Sequence, residues 1–276
     1  MRRRTIVVDG LVTSYLEAGA GNGDPLVLLH GGEFGAGAEL GWERTIPALA
    51  ERHHVLAPDQ LGYGQTAKVV DLNAGRHLRI RHVARFCEAV GVDAAGFVGN
   101  SMGGVNLLVD QASEQPLLPV RRLVVIGGGG EILRNPHSAA LVEYDATLEA
   151  MRRIVEALFA DPAYAADDAY VRRRYEASIA PGAWEAVAAA RLCRPGLEPS
   201  WLGTATPPYE RIAVPTLIVE GGQDKIKPDG CAAQVAARIP GAGSTAIDGA
   251  GHCPQIERPD LVNPLLLDFF AAVAPA

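Results

Sequence analysis

Apolar positions along this chain fall into two rhythms that alternate from one end to the other. Leu26-Val27-Leu28-Leu29, His54-Val55-Leu56-Ala57, the run through Phe97-Val98, Arg122 to Ile126 and Thr216-Leu217-Ile218-Val219 are short and almost continuously apolar, as strands buried on both faces must be. Between them, apolar residues recur at helical spacing: Trp42 to Glu51, Arg76 to Val90 (through Leu78, Val83, Phe86 and Val90), a stretch from Met102, Asp229 to Arg238, and Pro259 to Val273. At the front, Arg4–Val8 and Leu11–Glu17 read as two strands around Asp9-Gly10, a two-residue hairpin signal. A strand near Ser244–Ile247 completes the set. Alternation of this kind predicts an α/β fold, a mostly parallel central sheet with helices on both faces.

The rhythm breaks once. From Glu131 to Arg211 the chain is helical in pattern, rich in Ala and Arg, and interrupted by Pro136, Pro162, Pro181, Pro195, Pro199, Pro207 and Pro208. The expected organisation is therefore a core of residues 1–130 and 212–276, with a helical cap, 131–211, inserted after the sixth strand. An insertion there lies over the carboxyl ends of the strands, where open α/β sheets bind ligands.

Composition narrows the partners. A chain of 276 residues, 48% hydrophobic and with net charge −7, is an ordinary globular protein whose charge argues against nucleic acid. The four cysteines (Cys87, Cys193, Cys231, Cys253) form neither a disulfide framework nor a zinc spacing, so no metal is expected. Met1-Arg2-Arg3-Arg4 begins like a signal peptide, but Thr5 to Gly10 is too short and too broken to continue one. Without a membrane-length apolar run either, the expected setting is cytoplasmic and the expected partner a small-molecule substrate.

The chemistry gathers at the loops that follow the strands. Gly99-Asn100-Ser101-Met102-Gly103 turns from a buried strand into a helix, the context in which G-x-S-x-G presents a nucleophilic serine. A serine needs a base, and the base needs an acid to hold its tautomer. Asp224, just past one strand, and His252, past the last, supply them in the order Ser, Asp, His. Asp248 and Asp229 are weaker candidates, the first in a strand exit and the second at a helix N-cap. His30 opens a glycine turn, and its expected role is to orient that turn. The oxyanion hole is assigned to the amide of Met102 and to the turn His30-Gly31-Gly32-Glu33, Gly32 foremost and Gly31 beside it. Gly127 to Gly130 lacks the ending of a phosphate loop.

These residues resemble the α/β-hydrolases over essentially the whole chain. Within them, several stretches resemble the meta-cleavage product hydrolases, which cut carbon–carbon bonds in ring-fission products of aromatic compounds. The stretches are His30-Gly31-Gly32 with Gly35-Ala36, Gly99 to Gly104, Asp59 to Thr66, Arg81-His82 and Arg174 to Ile179. The resemblance implies a 2-hydroxy-6-oxo-dienoate-type substrate, no cofactor, a homodimer, and a cap arginine, Arg174, on the substrate's dienol and carboxylate. Asn100 would share the acid end; Phe34 and Cys253 are placed with the substrate-binding residues. Two positions depart from the family: Cys253 stands where it usually has Trp, and Glu33 where it often has Gly. The competing expectations are an ester, lactone or thioester hydrolase, and a ligand-binding or cyclisation protein on the same fold.

Overall fold

The structure, a computed structural model, describes residues 1–71, 75–189 and 207–271. Eight strands form one sheet: β1 (Arg2–Val8), β2 (Leu11–Ala18), β3 (Pro25–Leu29), β4 (His54–Pro58), β5 (Ala95–Asn100), β6 (Val120–Ile126), β7 (Thr216–Gly221) and β8 (Gly243–Ile247). Their order is β1-β2-β4-β3-β5-β6-β7-β8. The β1/β2 and β2/β4 pairings are antiparallel and the rest are parallel. The front hairpin turns through Asp9 (φ 48°) and Gly10 (φ 79°), the two positive values a tight hairpin turn requires.

The continuous apolar runs are explained by what covers each face. Val27, Leu29, Phe97, Leu123, Val125 and Ile218 point to one side, where they pack with α3 (Gly75–Ala89), α4 (Met102–Gln111) and α10 (Cys231–Ala236). Leu26, Leu28, Val98, Val124, Ile126 and Val219 point to the other, under α1 (Ala38–Trp42), α2 (Ile46–Leu49) and α12 (Pro259–Ala271). The single helix expected over Trp42–Glu51 is two short ones. Pro47 lacks the N–H that a continuous helix needs, and it instead starts α2 from its first turn.

Between β6 and β7 the described residues hold helices and no strand of the sheet: α5 (Pro136–Ala140), α6 (Leu148–Leu158), α7 (Ala163–Ala166), α8 (Asp168–Ser178) and α9 (Ala183–Ala189). Cys193 and the rest of 190–206 lie outside the described residues. The apolar sides of these helices, including Met151, Ile154, Val155, Phe159 and Val171, bury against Phe34, Tyr63, Ile226 and Cys253 of the sheet's loops.

One feature of the strand order fixes the site. The chain passes from β3 outward to β4, then returns to lay β5 on the opposite side of β3. In open α/β sheets such a switch point is where loops leave neighbouring strands in opposite directions and where ligands bind. The glycine turn follows β3 and Ser101 follows β5. A short α11 (Pro254–Glu257) follows directly after His252. Among the described residues no helix is long and apolar enough to cross a membrane.

Candidate active site

Ser101 sits between β5 and α4 at φ 48°, ψ −114°, a conformation that costs a side-chain residue on the order of 1–3 kcal/mol. The surroundings hold it there. Its N–H donates to Ile126 O at 2.8 Å and its carbonyl accepts from Val105 N at 2.9 Å. Strand and helix cross so closely that a Cβ on Gly99 would stand 2.5 Å from Gly104 N, and one on Gly103 would strike the carbonyl of Leu29. Glycine at both positions is what lets the turn close.

His252 Nε2 lies 2.9 Å from Ser101 Oγ, and His252 Nδ1 lies 2.7 Å from Asp224 Oδ2. The other oxygen of Asp224 accepts from the amides of Ile226 (2.8 Å) and Lys227 (3.2 Å). Burial works against the Asp224 charge, but His252 and those amides outweigh it and hold the carboxyl below its ordinary value. Ionised Asp224 accepts from Nδ1–H, which leaves Nε2 as the lone pair facing the serine hydroxyl. The arrangement can remove a proton from Oγ and return it to a leaving group.

The turn after β3 lies against the nucleophile. A Cβ on Gly32 would stand 2.8 Å from both Cβ and Sδ of Met102, so the two segments are in contact. Met102 opens α4, and the first amides of a helix have no acceptor within it. Tyr63 braces the turn from outside, donating to Gly32 O at 3.0 Å. His30 is fully engaged: Nδ1 bonds Gly31 O at 2.7 Å, Nε2 accepts from Gln60 N at 3.0 Å, and burial pushes its pKa down. It is a neutral imidazole that ties the turn to the loop after β4.

Asn100 spends its donors inside the protein, on Ile126 O (3.2 Å) and His252 O (3.3 Å), while its Oδ1 faces Cys253 Sγ at 3.6 Å. In this structure it fastens the nucleophile strand to the histidine loop. Arg174, fully buried on α8, places Nη1 2.9 Å from Glu33 Oε1 and Nε 3.0 Å from the Tyr170 hydroxyl. Its guanidinium lies over the rings of Tyr170 (5.3 Å) and Phe159 (5.6 Å). Burial opposes the Glu33 charge, and Arg174 more than restores it, holding that carboxyl below its ordinary value. Phe34 packs against Tyr144, ring centroids 4.6 Å apart and planes tilted by 41°, in the apolar layer under the helical segment. Cys253 is buried, and burial pushes its thiol well up, so it is an unreactive wall residue.

The chain matches the Alpha/beta hydrolase family over residues 26–265. It belongs to that family. Among its relatives is the 2-hydroxy-6-oxo-6-(2'-aminophenyl)hexa-2,4-dienoic acid hydrolase of Metapseudomonas resinovorans, 35% identical over 93% of this chain and 87% of that protein. Another is the 2-hydroxymuconate semialdehyde hydrolase of Pseudomonas sp. (strain CF600), 32% identical over 97% and 93%. Among solved structures, the meta-cleavage product hydrolase of Pseudomonas fluorescens IP01 superimposes with TM-score 0.86 at 28% identity, covering 97% of each chain.

Two features of this hydrolase carry no signal in the sequence. One is the Glu33–Arg174 pair. Glu33 stands out as a charge in a glycine turn, but nothing local names a partner 141 residues away. The other is Glu257, whose carboxylate accepts from Gly251 N, Ala160 N and Asp161 N. It joins the histidine loop to the chain leaving α6, and His252 N adds a bond to Leu158 O at 2.8 Å. A glutamate two residues before a predicted helix carries no signal of that kind.

Proposed function

We propose that this hydrolase cleaves a carbon–carbon bond in a 2-hydroxy-6-oxo-dienoate-type ring-fission product, with helices α5–α9 as the cap over its site. The observation that carries the reading is the Ser101–His252–Asp224 hydrogen-bond chain, set at the switch point against the glycine turn. The activities printed for the relatives supply the substrate class.

The reaction needs the dienol to tautomerise to the ketone before the C5–C6 bond can break. The 6-oxo carbon then takes an oxygen nucleophile, Ser101 Oγ or a water, whose proton passes to His252 Nε2. The charge that develops on the carbonyl oxygen falls between the amides of Met102 and Gly32, with Gly31 shaping the turn. Collapse breaks the carbon–carbon bond, His252 returns its proton to the departing carbon, and net uptake of water leaves a carboxylic acid and a dienol acid. Asp224 holds the imidazole in the tautomer both transfers need. Arg174 lies at the end of the site occupied by C1 and C2.

Stopped-flow absorbance with a chromophoric dienoate tests the proposal. Wild type bleaches the dienol, and Ser101→Ala slows product formation by at least about 10³-fold. A wild type that leaves the chromophore intact yet turns over p-nitrophenyl esters would establish the second reading, ester or lactone hydrolysis. One observation favours that reading: the charge of Arg174 is already met by Glu33.

A further inference from the structure

The departure at Glu33 changes what the site can take. The residues expected at the polar end of a substrate are Asn100, Cys253 and Arg174. Asn100 has committed its amide hydrogens to two backbone carbonyls, and its oxygen faces the Cys253 thiol. Cys253, buried and held as the thiol, brings no charge. That leaves Arg174, whose Nε and Nη1 are used by Tyr170 and Glu33. Its Nη2 is buried and has no hydrogen-bond partner among the described residues, a costly arrangement for a donor unless a ligand atom meets it.

The pair sits within reach of the reacting atoms. A Cβ on Gly31 would lie against Glu33 Oε2 and 3.3 Å from Asn100 Oδ1, and Asn100 and Cys253 directly adjoin Ser101 and His252 in sequence. An acceptor meeting Nη2 sits on the guanidinium that Glu33 holds from the glycine turn. It also shares the guanidinium with a carboxylate that is 9% exposed. A second carboxylate there would put two like charges on one buried cation, which low-dielectric surroundings penalise. A carbonyl oxygen satisfies the same donor and adds no charge.

We infer that Glu33 is a specificity-determining residue that sets this site for an uncharged head group, a C1 amide- or ester-type carbonyl, in place of the free carboxylate. The inference rests on the reading above that a dienol chain lies along the site with C1 at Arg174.

The test compares a 2-hydroxy-6-oxo-dienoic acid with its isosteric C1 carboxamide, following carbon–carbon cleavage by product analysis. Wild type prefers the carboxamide in kcat/KM by about 10-fold or more, the size expected of one like-charge contact at close range. In Glu33→Gln the acid-to-amide ratio rises by about the same factor. A wild type that prefers the acid, or a ratio that Glu33→Gln leaves unchanged, overturns the inference while leaving carbon–carbon cleavage standing. Calorimetry with two non-reacting probes, hexa-2,4-dienoate and hexa-2,4-dienamide, covers the remaining cases. If neither substrate is cleaved the functional reading fails. The inference then stands only if wild type binds the amide more tightly, and tighter binding of the dienoate overturns it. Should Glu33→Gln not fold, the wild-type preference and the probe pair decide alone.

Discussion

At the scale of single residues, this site is held by groups that have no freedom to be something else. Asp224 is ionised and fixed by two amides, so its substitution by Asn keeps the shape and reverses the tautomer of His252. Asp224→Asn is expected to lower kcat by on the order of 10⁴ with little change in unfolding midpoint, read from ester or dienoate turnover beside a urea titration. Arg174 is different, because its charge is part of the fold. Arg174→Ala leaves Glu33 buried without its counter-charge and should cost about 3–5 kcal/mol of stability by urea unfolding. The double change Glu33→Gln, Arg174→Met removes both charges and should recover most of that loss. If Arg174→Ala is as stable as wild type, the pair is not the buried contact described.

At the scale of elements, the chain leaving α6 is fastened to the histidine loop. Glu257 is the joint, with three amides from two segments on one carboxylate. Gln keeps one acceptor oxygen and turns an amino group toward an N–H. Glu257→Gln is therefore expected to cost about 1–3 kcal/mol. Amide hydrogen exchange should quicken at Gly251, Ala160 and Asp161, and kcat should fall with KM little changed. Exchange unchanged at those amides would mean that the joint carries no load. The same scale shows what can be read from a sequence. The inner strands β3 to β7 are legible because each must be apolar on two faces, and the front pair because Asp9-Gly10 marks a hairpin where two positive φ values are needed. The order of Ser101, Asp224 and His252 is legible because each follows a strand, and parallel strands bring their ends to one edge. The break at Pro47 was available in the sequence and outweighs helical spacing. Glu33 with Arg174, and Glu257 with the chain after α6, were out of reach, since each contact joins segments whose approach only the assembled sheet and helices decide.

At the scale of the whole molecule, two buried histidines make the fold sensitive to mild acid. His82, on α3, is 4% exposed and bonds Thr13 Oγ1 at 2.9 Å, and burial pushes its pKa down from 6.5 to about 4. His30, under the glycine turn, is pushed down by the same cause. Both must stay neutral in the fold, whereas in the unfolded chain they take up protons near pH 6.5. Unfolding therefore gains protons as the pH falls through that range, and stability declines with it. Each pH unit between the two pKa values of His82 is about 1.4 kcal/mol, so His82 alone should remove about 2–3 kcal/mol between pH 7 and pH 4.5. Asp224 and Glu33 act later and in the same direction. Their carboxyls are held below the ordinary range, so the stability they give is intact above about pH 4 and is lost only on further acidification. Urea unfolding at pH 7 and pH 4.5 separates the stages. Wild type should lose stability over that interval before Asp224 and Glu33 titrate, and His82→Gln, which cannot take up a proton, should lose less by the share of His82. Equal losses in the two proteins would show that the imidazole is charged in the fold, and the contact with Thr13 would then have to be redrawn.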